Sequence, residues 1–208
     1  NKDYKKTLQK YFKDFFGSCP EIMMINHHLA HISSSFYASG LKESACLSLD
    51  AYGDNKSGLV AEASYKKGIK VIRYLDKSLS LGNLYSACTE FLGYSDGDEF
   101  KVMGLASYGN PNVKFNNVIK LNKKLWNIDK RYFVDQKTPS EHRYSKKFQK
   151  EFLKYKRFKN EKIKDKHKNF AASIQKEISQ GMMKAFLYSK KLSKFKENIC
   201  LTGGVALN

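Results

Sequence analysis

Apolar residues recur at helical spacing in several parts of the chain, and each such part predicts an amphipathic helix. The periodic segments are residues 4–16, 27–39, 81–92 and 167–193. In the second segment Asn26 is a suitable N-cap, Leu29, Ile32 and Phe36 share a face, and Gly40 ends the pattern. The last segment carries its apolar stripe on Phe170, Ile174, Ile178, Met182, Phe186 and Leu187.

Short apolar runs between these helices predict buried strands. They cover residues 21–25, 44–50 and 198–202. Residues 58–65 and 69–75 alternate between apolar and polar side chains on either side of a Lys-Lys-Gly turn, which predicts a hairpin. The Gly-rich residues 94–110 are predicted to form a loop. Helices and strands therefore alternate, which favours an α/β fold with an antiparallel hairpin in at least one sheet.

The net charge of +18 is concentrated in one part of the chain. Residues 21–110 carry 8 Lys or Arg and 10 Asp or Glu, whereas residues 111–170 carry 19 and 6. One interpretation is a basic, aromatic-dotted surface for RNA or an acidic partner. The other, which we favour, is a solvated Lys-rich insertion over 111–165, mostly helical and partly strand around Arg131–Val134.

Several classes of protein are disfavoured by what the sequence lacks. No apolar run approaches the roughly 18 residues that span a bilayer, so no membrane association is expected, and we see no signal peptide. The four cysteines form no Cys-x-x-Cys pair, and Cys46 and Cys200 are expected to be buried free thiols in a reducing cytoplasm. Because the chain lacks an initial Met and stops within a Gly-rich loop, we interpret it as part of a longer protein.

Three of the five histidines fall within NHHLAH (26–31). On a helix, His27 and His31 lie four residues apart and share a face, and His28 and His31 could also converge. Two imidazoles suit Fe, Zn or Ni but leave a divalent site short of at least one ligand. A polar surface turn is the alternative for this stretch.

Two strand ends add candidate ligands. Asp50 closes an apolar strand, where a carboxylate is costly to bury without a partner, and Gly53 follows in a predicted tight turn. This arrangement suits a metal or phosphate, although Asp50 could equally start an Asx turn. Gly203 and Gly204 follow the last strand and would let the backbone approach a phosphate.

The loop before residue 110 mixes acids, a lysine and glycines. Within it, Glu99 and Lys101 could position a charged substrate or pair with each other.

Five motifs occur in an order that resembles the O-carbamoyltransferase family of nodulation and of the tobramycin and cephamycin pathways. They are NHHLAHISSSFY (26–37), SLDAYG (48–53), SLGNLYSACTEFLGY (80–94), EFKVMGLASYG (99–109) and LTGGVALN (201–208). The resemblance covers about residues 21–110 and 165–208. Ser107 stands where the family commonly has Pro, and Ala51 where it commonly has Gly.

The resemblance implies an incomplete domain of the actin/sugar-kinase/Hsp70 architecture, in the branch shared with tRNA threonylcarbamoyl-transfer enzymes. Residues 1–110 would be its first part, residues 111–165 an insertion and residues 166–208 its continuation. A YrdC-like C-terminal domain of the same chain would make carbamoyl adenylate from carbamoyl phosphate and ATP. The present domain would pass the carbamoyl group to a hydroxyl of a small-molecule or carbohydrate acceptor, and alone it would be inactive.

The resemblance also implies site residues. His27, His31 and Asp50 would hold a divalent metal, expected to be Fe²⁺, with a further aspartate expected beyond Asn208. Gly203, Gly204 and Asn208 fall on the nucleotide-side loop, with Asp50 and Gly53 also assigned to cofactor binding. Glu99 and Lys101 match a family motif without an assigned role, and we take them as catalytic candidates.

Next to the two predicted ligands, His28 could accept a proton from the acceptor hydroxyl or support the ligands from behind. A histidine on the helix surface is the alternative.

Two other functions stay open. One is threonylcarbamoyl transfer to tRNA, although the KVMGLA and LYSACTEFLG runs argue against it. The other is a non-enzymatic RNA-binding module using the basic segment. Nucleic acid is not the expected partner, and a homodimer is left open.

Overall fold

Helices and strands alternate along the chain in the computed structural model, which describes residues 2–134 and 142–208. The helices are α1 (Lys2–Phe16), α2 (His27–Ala38), α3 (Leu81–Phe91), α4 (Glu99–Ala106), α5 (Lys146–Phe152) and α6 (Asp165–Leu192). The strands are β1 (Glu43–Gly53), β2 (Lys56–Ser64), β3 (Gly68–Asp76), β4 (Ile119–Leu121), β5 (Trp126–Ile128) and β6 (Ile199–Thr202). None of the helices in the described residues is long and apolar enough to span a membrane.

A mixed four-stranded sheet in the order β3-β2-β1-β6 forms the centre of the fold. β1, β2 and β3 are antiparallel neighbours, whereas β6 pairs with β1 in parallel and places Cys200 opposite Cys46. The predicted α/β class, with an antiparallel hairpin in the sheet, is confirmed. Cys46 and Cys200 are buried free thiols, as expected, and burial raises the pKa of Cys46 to about 12.

Helices cover both faces of this sheet. Because side chains alternate along a strand, β1 directs Leu47 and Leu49 into one apolar cluster and Cys46 into another. The first cluster contains residues of α3 and α6, and the second contains Ile32 and Phe36 of α2. The end of β1 is therefore enclosed between helices that arrive from opposite sides of the sheet.

Most helix predictions are confirmed, but three local predictions are wrong. Residues 21–25 form no strand, and Met23, Met24 and Ile25 are exposed. Residues 94–110 include the helix α4, because the apolar Val102, Leu105 and Ala106 bury one face of EFKVMGLA despite the flanking glycines. On α6 the stripe is buried through Ile178, but Leu187 is exposed.

The prediction of a mostly helical 111–165 segment is also wrong. It contains the short antiparallel pair β4–β5, the seven-residue α5 and irregular chain. Its lysines are largely exposed, but its apolar residues join the core shared by α3 and α6. Phe148 packs against Phe91 and Phe170 with ring centroids 5.2 and 6.5 Å apart. The backbone here is mostly irregular, so the buried aromatic residues do not recur at a helical or strand spacing. The frequent lysines are therefore the feature that stands out in the sequence.

Replacing Phe148 by Ala should therefore destabilise the whole domain and not one peripheral segment. Phe148 is fully buried, so Phe148→Ala should lower the free energy of unfolding by about 3–5 kcal/mol. Urea denaturation followed by circular dichroism measures this change. Phe158→Ala, at a ring that is 66% exposed, is the matched control and should change little. Equal, small effects of both substitutions would show that the basic segment is not part of the core.

Candidate metal centre and adjoining cavity

The start of α2 is tied to the turn that follows β1. Asn26 caps the helix, since its side-chain oxygen accepts a hydrogen bond from the Leu29 backbone N–H at 3.1 Å. Asp54 in the β1–β2 turn accepts from the Asn26 side-chain amide at 2.9 Å and from the His27 backbone N–H at 2.7 Å. The helix is thereby fixed with its first turn over the end of β1.

This arrangement brings His27, His31 and Asp50 together. The Nε2 atoms of His27 and His31 lie 3.0 and 3.1 Å from the same Asp50 oxygen, Oδ2. One ligand atom from each residue can be chosen so that the three lie within 4.8 Å of one another. The sequence placed the two histidines on one helical face and named Asp50 as a third candidate ligand, and the structure brings the three side chains together.

Asp50 is held in its ionised form. Partial burial alone would raise its pKa, but hydrogen bonds from His27, from the Ala51 backbone and from His31 lower the pKa below the usual value. The Ala51 N–H donates to Oδ1 at 2.7 Å. An ionised carboxylate beside two imidazoles is a donor set that suits divalent transition metals.

Glycines permit the close approaches around this cluster. A Cβ on Gly53 would lie 2.1 Å from Cδ2 of the His27 ring, so any larger residue there would displace the imidazole. Gly203 has a φ of 92°, and a Cβ there would lie 2.2 Å from the Leu49 carbonyl oxygen. A Cβ on Gly204 would lie 3.0 Å from Asp50 Oδ1.

Gly53 is thus the last residue of β1 and a support for His27. The prediction that it forms the tight turn is wrong, because the left-handed turn residues are Asp54 and Asn55.

His28 is directed away from the cluster into the protein. It is fully buried, its Nε2 donates to the Lys56 carbonyl at 3.1 Å, and its Nδ1 therefore accepts from the Ser48 hydroxyl at 3.0 Å. Burial lowers its pKa, which favours the neutral ring. His28 is thus neither a surface residue nor placed to take a proton from a substrate. The supporting role is the one consistent with its contacts, because it ties α2 to β1 and β2.

A cavity of about 580 Å³ adjoins Asp50. Helices α3, α4 and α6, the end of β1 and the Gly204–Leu207 turn enclose it. Of the predicted site residues, Asp50, Glu99, Gly204 and Asn208 line it. Lys101 is not among the residues that line the cavity. Its ammonium group forms an ion pair with Asp98 at 2.8 Å, and not with Glu99.

Polar groups of the cavity wall are ordered by hydrogen bonds that the sequence did not reveal. The Ser86 hydroxyl donates to Glu99 Oε1 at 2.5 Å, and the Tyr85 hydroxyl donates to Gln175 Oε1 at 2.7 Å. Gln175 in turn donates to the Asn208 side chain. Burial raises the pKa of Tyr85, which keeps its hydroxyl neutral. Tyr85 and Ser86 lie within the motif 80–94, but no spacing rule marked them as lining residues.

The chain matches, over residues 1–208, the family described as Carbamoyltransferase N-terminus. It belongs to this family. The predicted resemblance is confirmed, and membership of a carbamoyltransferase family indicates a transferase.

Curated relatives agree with this assignment. The chain is 32% identical to the nodulation protein NolNO of Sinorhizobium fredii, with 99% of the chain and 29% of that protein aligned. It is 29% identical to the nodulation protein NolO of Bradyrhizobium diazoefficiens, over 88% of the chain and 32% of that protein. An uncharacterized protein of Methanocaldococcus jannaschii is 32% identical over 98% of the chain and 33% of its own length. The chain therefore spans about a third of the length of these relatives.

The contact between Gly53 and His27 gives a direct test of the cluster's geometry. Gly53→Ala should push the imidazole aside and break its hydrogen bond to Asp50, because the new methyl group would overlap the ring. Long-range ¹H–¹⁵N NMR spectra of the histidine rings should show a shifted His27 signal. Gly104→Ala, at a position with open space around it, is the control and should leave the spectrum unchanged. An unaltered His27 signal in Gly53→Ala would contradict the packing described.

Proposed function

We propose that this chain is the acceptor-transfer part of an ATP-dependent O-carbamoyltransferase. The observation that carries the proposal is the cluster of His27, His31 and Asp50 at the edge of a cavity, in a chain of the carbamoyltransferase N-terminus family. The sheet order β3-β2-β1-β6, with β6 parallel to β1, is compatible with the actin/sugar-kinase/Hsp70 architecture that the resemblance implies.

The rest of the longer protein would supply the activated donor. In this proposal a YrdC-like domain makes carbamoyl adenylate from carbamoyl phosphate and ATP. Gly203, Gly204 and Asn208 would then form the nucleotide side of the transfer site. Support for this placement comes from Gly204, which lies against Asp50, and from Asn208, which lines the same cavity.

The donor set fits a divalent ion, with Fe²⁺ as the proposed metal. His27, His31 and Asp50 would supply two nitrogens and one oxygen, and the further aspartate expected beyond Asn208 would supply another oxygen. When bound, the ion would polarise the carbamoyl carbonyl and offset the negative charge of the leaving phosphate. Asp54 and Gly53 would hold the ligands in place by fixing the start of α2 and the ring of His27.

In this proposal the chain would supply the base for the transfer step. The acceptor hydroxyl oxygen attacks the carbamoyl carbon, the bond from that carbon to the phosphate oxygen breaks, and AMP leaves with the electron pair. The hydroxyl proton must pass to a nearby base. Glu99 is the proposed acceptor of that proton, since its carboxylate lines the cavity that Asp50 also lines, whereas His28 is enclosed.

Removing a ligand should abolish both metal binding and transfer. In the full-length protein, His27→Ala and Asp50→Ala should each lower bound iron, measured by mass spectrometry of the metal, and acceptor carbamoylation to background. ATP-dependent consumption of carbamoyl phosphate should persist, because it would occur in a different domain. Asp165→Ala, at a side chain that is 87% exposed, is the control. Unchanged metal content in both ligand variants would overturn the metal assignment.

The RNA-binding alternative gains little from the basic segment. Non-specific RNA binding combines basic grooves with aromatic rings on which bases stack. In this segment most aromatic rings are buried, namely Phe115, Trp126, Tyr132, Tyr144, Phe148 and Phe152. The segment therefore offers positive charge but few stacking surfaces. Binding of RNA that falls steeply with salt and survives His27→Ala would favour this alternative over the transferase.

A further inference from the structure

Helix α1 exposes its apolar face in the part of the chain that the structure describes. None of residues 3–16 is buried. Ring contacts form a continuous aromatic surface, since the centroids of Tyr11 and Phe15 lie 4.5 Å apart and those of Phe12 and Phe16 lie 5.7 Å apart. The aromatic side chains that are more than half exposed are Tyr4, Tyr11, Phe15 and Phe16. A contiguous exposed apolar surface on a folded protein marks an interaction site.

The lysines of α1 lie on the other side of the helix. Lys6, Lys10 and Lys13 recur at helical spacing. With about 3.6 residues per turn, their face is opposite to that of Leu8 and Phe15. One face is therefore charged and the other apolar, which is the pattern of a helix that packs on a core. Isolated helices of about 15 residues are only marginally stable in water, so α1 requires a partner for its apolar face.

The segment that leads from α1 to α2 also lacks a partner among the described residues. In residues 21–25 the side chains of Met23, Met24 and Ile25 are 77%, 44% and 64% exposed. The backbone of this segment forms no hydrogen bond with any other backbone group that the structure describes. Exposed apolar side chains on a backbone whose N–H and C=O groups are unpaired are the features of a strand outside its sheet.

We propose that α1 and residues 21–25 together form a docking surface for another segment of the same polypeptide, outside these 208 residues. A strand of that segment pairs with residues 21–25, and the sheet to which the strand belongs packs against the apolar face of α1. One partner thereby covers the exposed rings and satisfies the unpaired backbone. Residues 21–25 then form the buried strand that their apolar run predicts, but in a sheet that another part of the protein completes.

The length of the relatives identifies the occupant. The nodulation protein NolNO aligns with 99% of this chain, although the aligned part is only 29% of that protein. For the Methanocaldococcus jannaschii relative the corresponding shares are 98% and 33%. A helix equivalent to α1 and a segment equivalent to 21–25 therefore occur in proteins with about two thirds of their length elsewhere. That additional chain is the nearest source of a strand and of an apolar surface.

Two other occupants suit the surface less well. A lipid bilayer would cover the aromatic rings, but its hydrocarbon offers no hydrogen-bond partner to the backbone of residues 21–25. A second copy of the protein could supply both kinds of contact. It would have to compete with a segment of the same polypeptide, whose effective concentration is in the millimolar range when the connection is short.

The proposed docking surface lies next to the histidine cluster along the chain. Only the cap residue Asn26 separates Ile25 from His27, so a strand paired with residues 21–25 would end close to the first turn of α2. The docked segment would therefore also restrain the start of the helix that carries His27 and His31. This inference does not depend on carbamoyl transfer, because it follows from exposed apolar surface and unpaired backbone.

Hydrogen exchange of the full-length protein, followed by mass spectrometry, tests the docked strand directly. Backbone amides of residues 21–25 should exchange at least about a hundredfold more slowly than unprotected amides, as expected for hydrogen-bonded strand residues. The protection should persist at concentrations at which sedimentation shows a monomer. Unprotected exchange would overturn the inference. Protection that is lost on dilution, or that appears only with vesicles of anionic phospholipid, would also overturn it, since the occupant would then be a second copy or a membrane.

A pair of substitutions on α1 tests the packing of its apolar face. In the full-length protein, Phe15→Ala should speed exchange of the amides of residues 21–25 about a hundredfold, because it would remove a buried ring. Alanine favours helix more than phenylalanine does, so the effect would not come from a weaker helix. Lys10→Ala, on the charged face, is the matched control and should leave the exchange unchanged. Unchanged exchange in Phe15→Ala would overturn the inference, since the ring, 69% exposed here, would then be exposed in the full-length protein as well.

Photochemical cross-linking identifies the occupant without relying on a destabilised variant. A benzophenone amino acid is introduced in place of Phe15 in the full-length protein, and the cross-linked peptides are sequenced by mass spectrometry. Cross-links within one polypeptide to residues outside this 208-residue part are expected, and the same probe in place of Lys10 should give none. Cross-links only between two copies, or only to residues of the 208-residue part itself, would overturn the inference.

Discussion

The carboxylate of Asp50 is the group on which the arrangement of the site depends. It is partly buried at the end of a central strand, where an ionised group requires partners, and it finds them in His27, His31 and its neighbouring backbone N–H. Those partners can reach it only because α2 begins directly over the strand end and because Gly53 leaves room for an imidazole. A local electrostatic requirement thereby fixes where α2 meets β1, through side chains that are 19 and 23 residues apart along the chain.

The cavity depends on a different set of contacts. Its walls are helices α3, α4 and α6, which are held by the aromatic core to which the basic segment contributes Phe148 and Phe152. That segment looks like a solvated insertion because its lysines point outward, yet its rings pack against Phe170 of α6. The segment therefore acts on the site indirectly, by fixing the helices that line the cavity.

The sequence predicted the elements with strong periodicity and the residues whose partners are close along the chain. The helix 27–39, its Asn26 cap and the shared face of His27 and His31 follow from helical period and capping alone. The prediction of a buried strand at 21–25 is wrong because an apolar run alone does not show which other element would pack against it. Helix α4 was missed because Gly104 within EFKVMGLA and the flanking Gly97 and Gly109 outweighed a short buried face. The burial of His28 against Ser48 and Lys56 depends on sheet register, which no local pattern contains.

The cluster of His27, His31 and Asp50 and the α4 wall of the cavity therefore differ in how many contacts constrain their side chains. The three predicted ligands are fixed by one helix, one strand and a turn, and each is constrained by close packing or a shared hydrogen bond. Glu99 and Phe100 lie on the short helix α4, which the Ser86–Glu99 hydrogen bond joins to α3. Substitutions on α4 would alter the cavity wall without disturbing the imidazole–carboxylate cluster. If the proposed transfer is correct, the groups that would bind the metal lie on α2 and β1, whereas Glu99, the proposed base, lies on α4, so that metal binding and proton transfer can be altered by substitutions in different elements.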